Sequence, residues 1–307
     1  MRKNKKIRFE EFAEEYLNLH AKPNKKSWKA DYYNLKGLER LFKGKYLYTI
    51  AVEDIEKFKS ERSKEVAPAT VNRELATLKT LLNKAVAWDK VHENVAKSIK
   101  FLKEPKGRLR FLESEEIVKL LSNCNKRLRP IVVLALNTGM RRGEILGLKW
   151  RDIDIKRNII TLLETKNGER REVHINEQVK TSLIRVRKHP YSPYIFCNKD
   201  GKPYHDIRKS FFTALRKSGI NSFHFHDLRH TFASHLVMSG VDINTVRELL
   251  GHKDIRMTLR YSHLSPSHKK RAVDILGRKI ENMNLSHTKN RQQLFYTLGK
   301  TFFVHKG

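Results

Sequence analysis

Hydrophobic residues recur at steps of three and four through the first part of the chain, which is the spacing of one buried face of an α-helix. The longest such run follows Pro68, a residue tolerated in the first turn of a helix. The pattern therefore predicts a compact bundle of four helices over residues 1–100. A short helix is predicted from Val52 to Ser60, and the stripes of the other three helices contain Phe9, Phe12, Tyr16 and Leu17; Tyr33, Leu35, Leu38 and Leu41; and Val71, Leu75, Leu78, Leu82 and Val86.

The pattern changes at residues 101–110, where Pro, Gly and charged side chains predict a linker. Helical spacing then returns, and between residues 153 and 175 the period becomes two, with Asn167-Gly168 as a hairpin signal. We expect a mainly α fold with a small antiparallel β-sheet, the second domain being mixed α/β over residues 111–280. Further helices are predicted from Glu113, from Pro130 to Gly139, and over residues 176–188, 206–217, 226–239, 244–250 and 266–280, followed by a tail of unassigned role over 281–307.

The charge of the chain indicates the class of its partner. Lysine and arginine number 64 against 33 aspartate and glutamate residues, a formal net charge of +31. Such a field attracts polyanions, so nucleic acid is the leading partner. A ribosome-associated protein or a merely basic surface would have a similar composition, so charge alone does not define the chemistry.

Cysteine usage and hydropathy bear on the compartment. Cys124 and Cys197 are far apart and belong to no CxxC pair, which favours a reducing cytoplasm over a disulfide framework. No apolar stretch approaches the roughly 20 residues that cross a bilayer, and the first residues lack the apolar segment of a signal peptide. We expect a cytoplasmic protein without a membrane partner.

The candidate chemistry centres on Tyr261, which lies among arginine and histidine residues. Phenol has a pKa near ~10, so attack on a phosphodiester requires nearby positive charge or hydrogen-bond partners that favour the phenolate. Arg141 is suited to bind two phosphate oxygens, and Glu144, three residues later, is placed to orient it. His226 and Arg229 stand at i and i+3, so both can project from the first turn of one helix.

Each of these elements has an ordinary structural explanation when taken alone. Arginine pairs in a basic protein are usually solvated, His-x-x-Arg recurs by chance, and Lys166 beside a turn would be an exposed lysine. Their order along the chain is more specific than any one of them, because Arg-x-x-Glu, a turn lysine, His-x-x-Arg, Gly-His and Tyr follow one another.

Metal and nucleotide sites are less well supported by the sequence. His224, His226 and His230 are close in the chain, but no HExxH motif or carboxylate cluster accompanies them. Gly251 does not belong to a phosphate-binding loop, and we interpret it as a helix C-terminus that exposes His252. No metal, cofactor or ATP is expected.

The combined motifs resemble those of a tyrosine recombinase of the phage integrase family. The resemblance covers most of the chain, from about Phe9 to Ile280, and depends on the strings TGMRRGEILGLKW, TKNGERREVHI, HDLRHTFASHL and LLGHKDIRMTLRYSHLS. It implies a helical core-binding, DNA-binding domain followed by a catalytic domain. The catalytic residues that it implies are Arg141, Lys166, His226, Arg229, His252 and the nucleophile Tyr261, with Glu144 and His230 supporting them.

The resemblance also implies an activity and an assembly. Tyr261 would form a 3′-phosphotyrosyl link, Lys166 would protonate the leaving 5′ oxygen, and His226 would assist proton transfer at the tyrosine. A homo-tetramer would act on double-stranded DNA bearing a specific recombination site, with the helix at 266–280 exchanged between protomers. A type IB topoisomerase-like enzyme and a non-catalytic DNA-binding protein on the same fold remain alternatives.

The sequence does not indicate which DNA site is recognised or whether an element is integrated, excised or resolved. Because the chain begins almost directly at the predicted core-binding domain, we expect a simple Xer-like or mobile-element enzyme.

Overall fold

The computed structural model describes residues 6–105, 108–162, 171–265 and 273–281. The chain divides into two compact units, Met1–Gly107 and Arg108–Gly307, and each has its own hydrophobic core. The division falls within the segment predicted as a linker. The observed mixture of many helices and one small sheet confirms the predicted fold class.

The first unit consists of helices that bury one face each. Its longest helix, α5, begins at Pro68, as predicted, and packs against α3. The helices are α1 (Phe9–Tyr16), extended by a π-helical turn (Leu17–Ala21) and α2 (Lys22–Asn24), then α3 (Trp28–Phe42), α4 (Val52–Ser63) and α5 (Pro68–Ala87), with 3₁₀ turns at Leu47–Thr49 and Val95–Ser98.

Two members of the predicted stripes do not enter this core. Tyr33 is 70% exposed, whereas Leu35 and Leu38 are buried. Val86 is also exposed, and Ala85 takes the buried position at the end of α5. The reason is the 3.6-residue period, which carries a residue at the edge of a stripe away from the packed face as the helix advances.

A buried ion pair fixes the approach of α3 to α5. Glu74 lies on α5 and accepts hydrogen bonds from the Arg62 guanidinium at 2.9–3.2 Å. Gly37 on α3 faces this carboxylate so closely that a Cβ there would lie 2.3 Å from Glu74 Oε1. A larger residue at position 37 would therefore displace the carboxylate from its partner.

The second unit is built around α11, which packs against α7 and α12. Three short antiparallel strands of this unit form a sheet in the order β1-β2-β3. The elements are α6 (Ser114–Asn123), α7 (Leu128–Thr138), α8 (Arg142–Leu146), a 3₁₀ turn (Trp150–Asp152), β1 (Ile153–Asp154), β2 (Ile159–Leu162), β3 (Arg171–His174), α9 (Glu177–Ile184), α10 (Arg208–Lys217), α11 (Asp227–Met238), α12 (Ile243–Leu250), α13 (Arg256–Leu259), a 3₁₀ turn (Ser262–Leu264) and α14 (273–281).

The sheet has the alternation that the sequence predicts. Ile160 pairs with Val173 in the β2–β3 register, and both side chains are buried. The hairpin signal Asn167-Gly168 lies outside the described residues. Across the parts of the chain that are described, no helix has the length and apolar character needed for a membrane span.

The predicted start of α7 was wrong by two residues. The helix begins at Leu128 rather than Pro130 because the Asn125 side chain accepts hydrogen bonds from the backbone N–H of Arg127 at 3.1 Å and of Leu128 at 2.9 Å. Pro130 still lies in the first turn, where its missing N–H has no intrahelical partner to lose.

Candidate active site

Arg229 joins three helices at one point. It lies in the first turn of α11 and is 3% exposed. Its Nη1 donates to the carbonyl of Gly139, just after α7, at 2.6 Å, and its Nη2 donates to the carbonyl of Leu250, the last residue of α12, at 2.5 Å. Burial first, and then the charge of Arg141, lowers the pKa of Arg229 to about 10. The side chain stays cationic at neutral pH and ties two turns to α11.

Arg141 occupies the first of these turns. Gly139 ends α7 with a left-handed backbone, φ 61°, and the chain then enters α8 with Arg141 as its N-cap. The Arg141 backbone N–H donates to Glu144 Oε2 at 2.8 Å, and its Nη1 donates to Oε1 of the same carboxylate at 2.8 Å. Glu144 thus holds both ends of Arg141, in the arrangement that the three-residue spacing predicts.

His252 occupies the second turn. Gly251 ends α12 with φ 63°, as predicted, but the expectation that it exposes His252 was wrong. The imidazole is buried, and its Nδ1 is 2.9 Å from Thr258 Oγ1. Burial, followed by the charge of Arg229, lowers the pKa of His252 to about 4. The ring is therefore neutral at physiological pH.

Tyr261 is almost completely buried, with 1% of its surface exposed. Its hydroxyl lies 2.5 Å from Nδ1 of His230 on α11. Burial raises the pKa of Tyr261, while the charges of Arg260 and Arg229 oppose that shift. The phenol is protonated in this arrangement, and it needs a proton acceptor before it can act as a nucleophile.

His230 is the histidine that lies against the tyrosine hydroxyl. Burial first, and then the charge of Arg260, lowers its pKa to about 4, so it is neutral and able to accept a proton. His226 is exposed, and its ring meets the His230 ring edge-on at 5.1 Å between centroids. Partial desolvation and then the charge of Arg229 lower the pKa of His226. The structure thus places His230, rather than the predicted His226, against the tyrosine hydroxyl.

Lys166 lies outside the described residues, so its position relative to this site stays a prediction. The other five residues expected to be catalytic come from the ends of α7, α11 and α12 and from the turn that carries Tyr261.

The family model that matches this chain is that of the phage integrase family, over residues 110–268. The matched segment contains all of these turns. The chain belongs to the phage integrase family.

Two curated relatives show how the chain compares with other members. The integrase of Salmonella phage P22 is 32% identical over 75% of this chain and 64% of its own length. The tyrosine recombinase XerA of Saccharolobus solfataricus is 31% identical over 71% of this chain and 81% of its own length. The chain therefore spans less than two thirds of the phage integrase and most of the archaeal recombinase.

Solved structures show the same fold. A transposon Tn1549 integrase in complex with a circular intermediate DNA covers 89% of this chain and 99% of its own, with 19% identity and a TM-score of 0.71. A lambda integrase tetramer bound to a Holliday junction covers 81% of this chain and 78% of its own, with 20% identity and a TM-score of 0.68.

In this family member, sequence reasoning missed two residues that support the site. Thr258 holds the His252 ring, and Arg171 contacts Glu144 at 3.1 Å. The strand alternation carried a signal for Arg171, because it shares the inward face of β3 with buried Val173. No comparable local pattern marks Thr258.

The site has an excess of positive charge. The arginines Arg141, Arg171 and Arg229 surround a single carboxylate, that of Glu144, and each of the first two lowers the pKa of Arg229. Such a cluster favours an anion such as phosphate. Among the described residues, no group of three or more His, Cys, Asp or Glu side chains is placed to hold a metal ion.

Proposed function

We propose that this protein is a site-specific DNA recombinase that cleaves and rejoins DNA strands through a 3′-phosphotyrosyl intermediate. One observation carries the proposal: the Tyr261 hydroxyl contacts His230 at 2.5 Å, on the same helix turn from which Arg229 binds the ends of α7 and α12. A nucleophile, a proton acceptor and phosphate-binding cations therefore converge, as covalent attack on a phosphodiester requires.

In the proposed cleavage step, the Tyr261 oxygen attacks the scissile phosphorus and its proton passes to His230. The bond from phosphorus to the 5′ oxygen breaks, and Lys166 gives that oxygen a proton, leaving a free 5′-hydroxyl. The new phosphotyrosyl ester retains the energy of the broken bond. A 5′-hydroxyl from a partner strand can then reverse the step and reform a phosphodiester.

Arg141 and Arg229 bind the non-bridging oxygens of the phosphate in this proposal. Negative charge develops there in the transition state, and removing one preorganised donor from such a site typically slows a reaction by on the order of 10²-fold or more. The neutral His252 donates a further hydrogen bond. The His252 backbone N–H donates to the carbonyl of Arg247 in α12, and Arg229 binds the carbonyl of Leu250, so the end of one helix positions both groups.

Tyr261 must move before it can attack. Only 1% of the surface of Tyr261 is exposed, so in this arrangement its hydroxyl cannot contact a phosphate of bound DNA. We infer that binding of DNA and of a neighbouring protomer shifts the turn that carries Tyr261. The short helices on either side, α13 and the turn Ser262–Leu264, leave this segment with few regular hydrogen bonds to break.

The neighbouring protomer is proposed to receive α14. Val273, Leu276 and Ile280 recur at steps of three and four along this helix, yet they are 68%, 57% and 49% exposed, and Ile275 is 57% exposed. Apolar side chains with this spacing and exposure are typical of a helix that packs against a partner. We therefore propose a homo-tetramer on two DNA duplexes, and the lambda integrase of similar fold has been solved as a tetramer bound to a Holliday junction.

The direct test is covalent trapping on DNA. With a duplex nicked beside the cleavage site, the short fragment that carries the free 5′-hydroxyl diffuses away, and the wild-type protein should accumulate as a DNA adduct. Tyr261→Phe should form none, a loss of at least about 10³-fold in rate. The mechanism is contradicted if Tyr261→Phe still forms an adduct. It is also contradicted if the wild-type protein forms no adduct at any of its genomic target sites.

Exchange of partners separates a recombinase from a relaxing enzyme. Two marked duplexes should yield recombinant strands, whereas relaxation of supercoiled DNA without any recombinant product would assign the chain to topoisomerase-like activity.

The assembly is tested at α14. We expect Ile275→Asp with Leu276→Asp to abolish strand exchange and tetramer formation while leaving binding to a single DNA site within about twofold. Arg278→Asp lies on the same helix and serves as a charge control. Equal exchange by the wild type and the double variant would contradict the proposed role of the helix.

A further inference from the structure

Arg171 is the first residue of β3 and lies outside the set of residues expected to be catalytic. Its side chain is 14% exposed, although an arginine at the start of a short strand would ordinarily extend into solvent. Alternation along β3 places Arg171 on the inward face with buried Val173, and Glu172 on the outward face. The guanidinium points toward Glu144 of α8 and toward the end of α12.

The contacts of Arg171 reach both turns of the candidate active site. Nη2 donates to Glu144 Oε2 at 3.1 Å, and the other oxygen of the same carboxylate accepts from Arg141 Nη1. Nη1 donates to the carbonyl of Leu249 at 3.1 Å, in the last turn of α12 and three residues before His252. One guanidinium thus connects the residue that orients Arg141 with the helix end that positions His252.

The backbone at Gly251 lies close to this guanidinium. A Cβ at Gly251 would lie 2.5 Å from Arg171 Nη1 and 2.8 Å from its Cδ. Its φ of 63° already favours glycine, so two independent constraints act at this position. The turn before His252 is therefore shaped around the Arg171 side chain as well as by helix termination.

The arrangement is unfavourable for stability alone. Arg171 Nε is buried and makes no hydrogen bond among the described residues, and an unsatisfied buried donor destabilises the folded state. The nearby charges of Arg141 and Arg229 repel the guanidinium. A cation kept in such surroundings, with contacts to both sides of a phosphate-binding site, favours a role in that site.

We propose that Arg171 is a positioning residue for phosphate activation: it holds the Glu144 carboxylate that aims Arg141, and it holds the Leu249 carbonyl so that the turn bearing His252 stays closed. The inference rests on the proposed recombinase function. Arg171 itself does not touch the phosphate, and its effect reaches the reaction through Arg141 and His252.

The first experiment separates binding from chemistry. In single-turnover adduct formation on the nicked duplex, Arg171→Met should slow the rate by about 10- to 100-fold, as expected when a group that binds the reacting phosphate is misplaced. DNA affinity should change by less than about threefold, since no phosphate contact is removed. Arg171→Lys keeps the charge but cannot span both partners, so we expect an intermediate loss.

A matched control exists in the same unit. Arg110 also binds one carboxylate, that of Glu116, and one backbone carbonyl, that of Phe111, and its side chain is 23% exposed. Arg110→Met should lower the melting temperature to a similar extent as Arg171→Met and leave the adduct rate within about twofold. A comparable loss of rate in both variants would show that Arg171 acts only by stabilising the fold.

The decisive measurement is a double-variant cycle with Arg141→Ala. If Arg171 acts through Arg141, adding Arg171→Met to Arg141→Ala should slow the reaction much less than it slows the wild type. Losses that multiply in full overturn the proposal. A wild-type rate in Arg171→Lys also overturns it, and this variant decides the question if Arg171→Met does not fold.

The outcomes distinguish this inference from the proposed function. No adduct with the wild-type protein refutes the recombinase mechanism. If the wild-type protein forms the adduct and Arg171→Met forms it at the same rate, only the positioning role is refuted.

Discussion

Among the described residues, each unit of this protein buries one tyrosine whose hydroxyl has a specific partner, and the two partners differ in kind. In the first unit, Tyr16 donates to the Asp31 carboxylate at 2.7 Å, and Lys25 binds both groups. In the second unit, the Tyr261 hydroxyl meets the neutral ring of His230 at 2.5 Å. Both residues are at most 1% exposed, so burial does not distinguish them.

The difference lies in what each environment does to the phenol proton. Burial first, and then the Asp31 carboxylate, raise the pKa of Tyr16 to about 12 against the opposing effect of Lys25. Around Tyr261, burial also raises the pKa, but the charged neighbours, Arg260 and Arg229, act in the other direction. A carboxylate partner locks the proton on Tyr16, whereas Tyr261 has a base beside it and cations around it. Two tyrosines with similar burial therefore differ in how tightly each holds its phenol proton, and only the surroundings of Tyr261 favour its loss.

The largest effect expected from this comparison follows from changing the partner of Tyr261. In His230→Asn the amide occupies the place of Nδ1 and keeps a hydrogen bond to the hydroxyl, but it cannot accept a proton. We expect adduct formation to slow by on the order of 10²-fold or more, the usual contribution of a general base. His235→Asn, on the same helix but bound to the carbonyl of Leu112, is the control. A normal rate in His230→Asn with a large loss in His226→Asn would assign the proton to His226.

A second effect concerns the pH dependence of stability. The pKa values of His230 and His252 fall from the ordinary 6.5 to about 4 because both rings are buried. As the pH falls, these rings take up protons in the unfolded chain at a higher pH than in the folded chain. Their contribution to the free energy of unfolding is therefore fully present above about pH 6.5 and decreases as the pH falls toward 4. We expect a loss of about 2 kcal/mol for each ring between pH 7 and pH 5.

This decline can be measured by chemical unfolding followed by tryptophan fluorescence. Trp150 is the single tryptophan of the second unit, so replacing Trp28 and Trp88 by Phe makes the signal specific to that unit. His230→Gln with His252→Gln should remove most of the pH dependence. A slope that is unchanged in this variant would show that other groups cause the decline.

The smallest effect is expected at Tyr16. Tyr16→Phe removes one hydrogen bond to the Asp31 carboxylate, which still accepts a hydrogen bond from Lys25. The free energy of unfolding should therefore fall by only about 1 to 2 kcal/mol. The adduct rate of the folded protein should stay within about twofold. A large loss of adduct rate in Tyr16→Phe without a matching loss in the free energy of unfolding would contradict a purely structural role of Tyr16.

Local sequence patterns predicted the elements better than they predicted the surroundings of individual side chains. The alternation of β2 and β3, the end of α12 at Gly251 and the support of Arg141 by Glu144 depend on residues within a few positions of one another. The burial of His252 depends on the packing of remote segments, and it was predicted incorrectly. Arg171 was missed for the same reason, since its partners lie 27 and 78 residues away along the chain.

The sequence by itself determined which chemical groups the protein has, where its helices and strands form, and that phosphate is the anion its motifs suit. Periodicity, caps and charge are properties of neighbouring residues, and they can be inferred without a fold. Only the tertiary structure decided which of those groups meet. Arg229 reaches a carbonyl 90 residues away, and His230 reaches a tyrosine 31 residues away. Burial and charge at those meeting points set the pKa of each group, because desolvation depends on everything that packs around it.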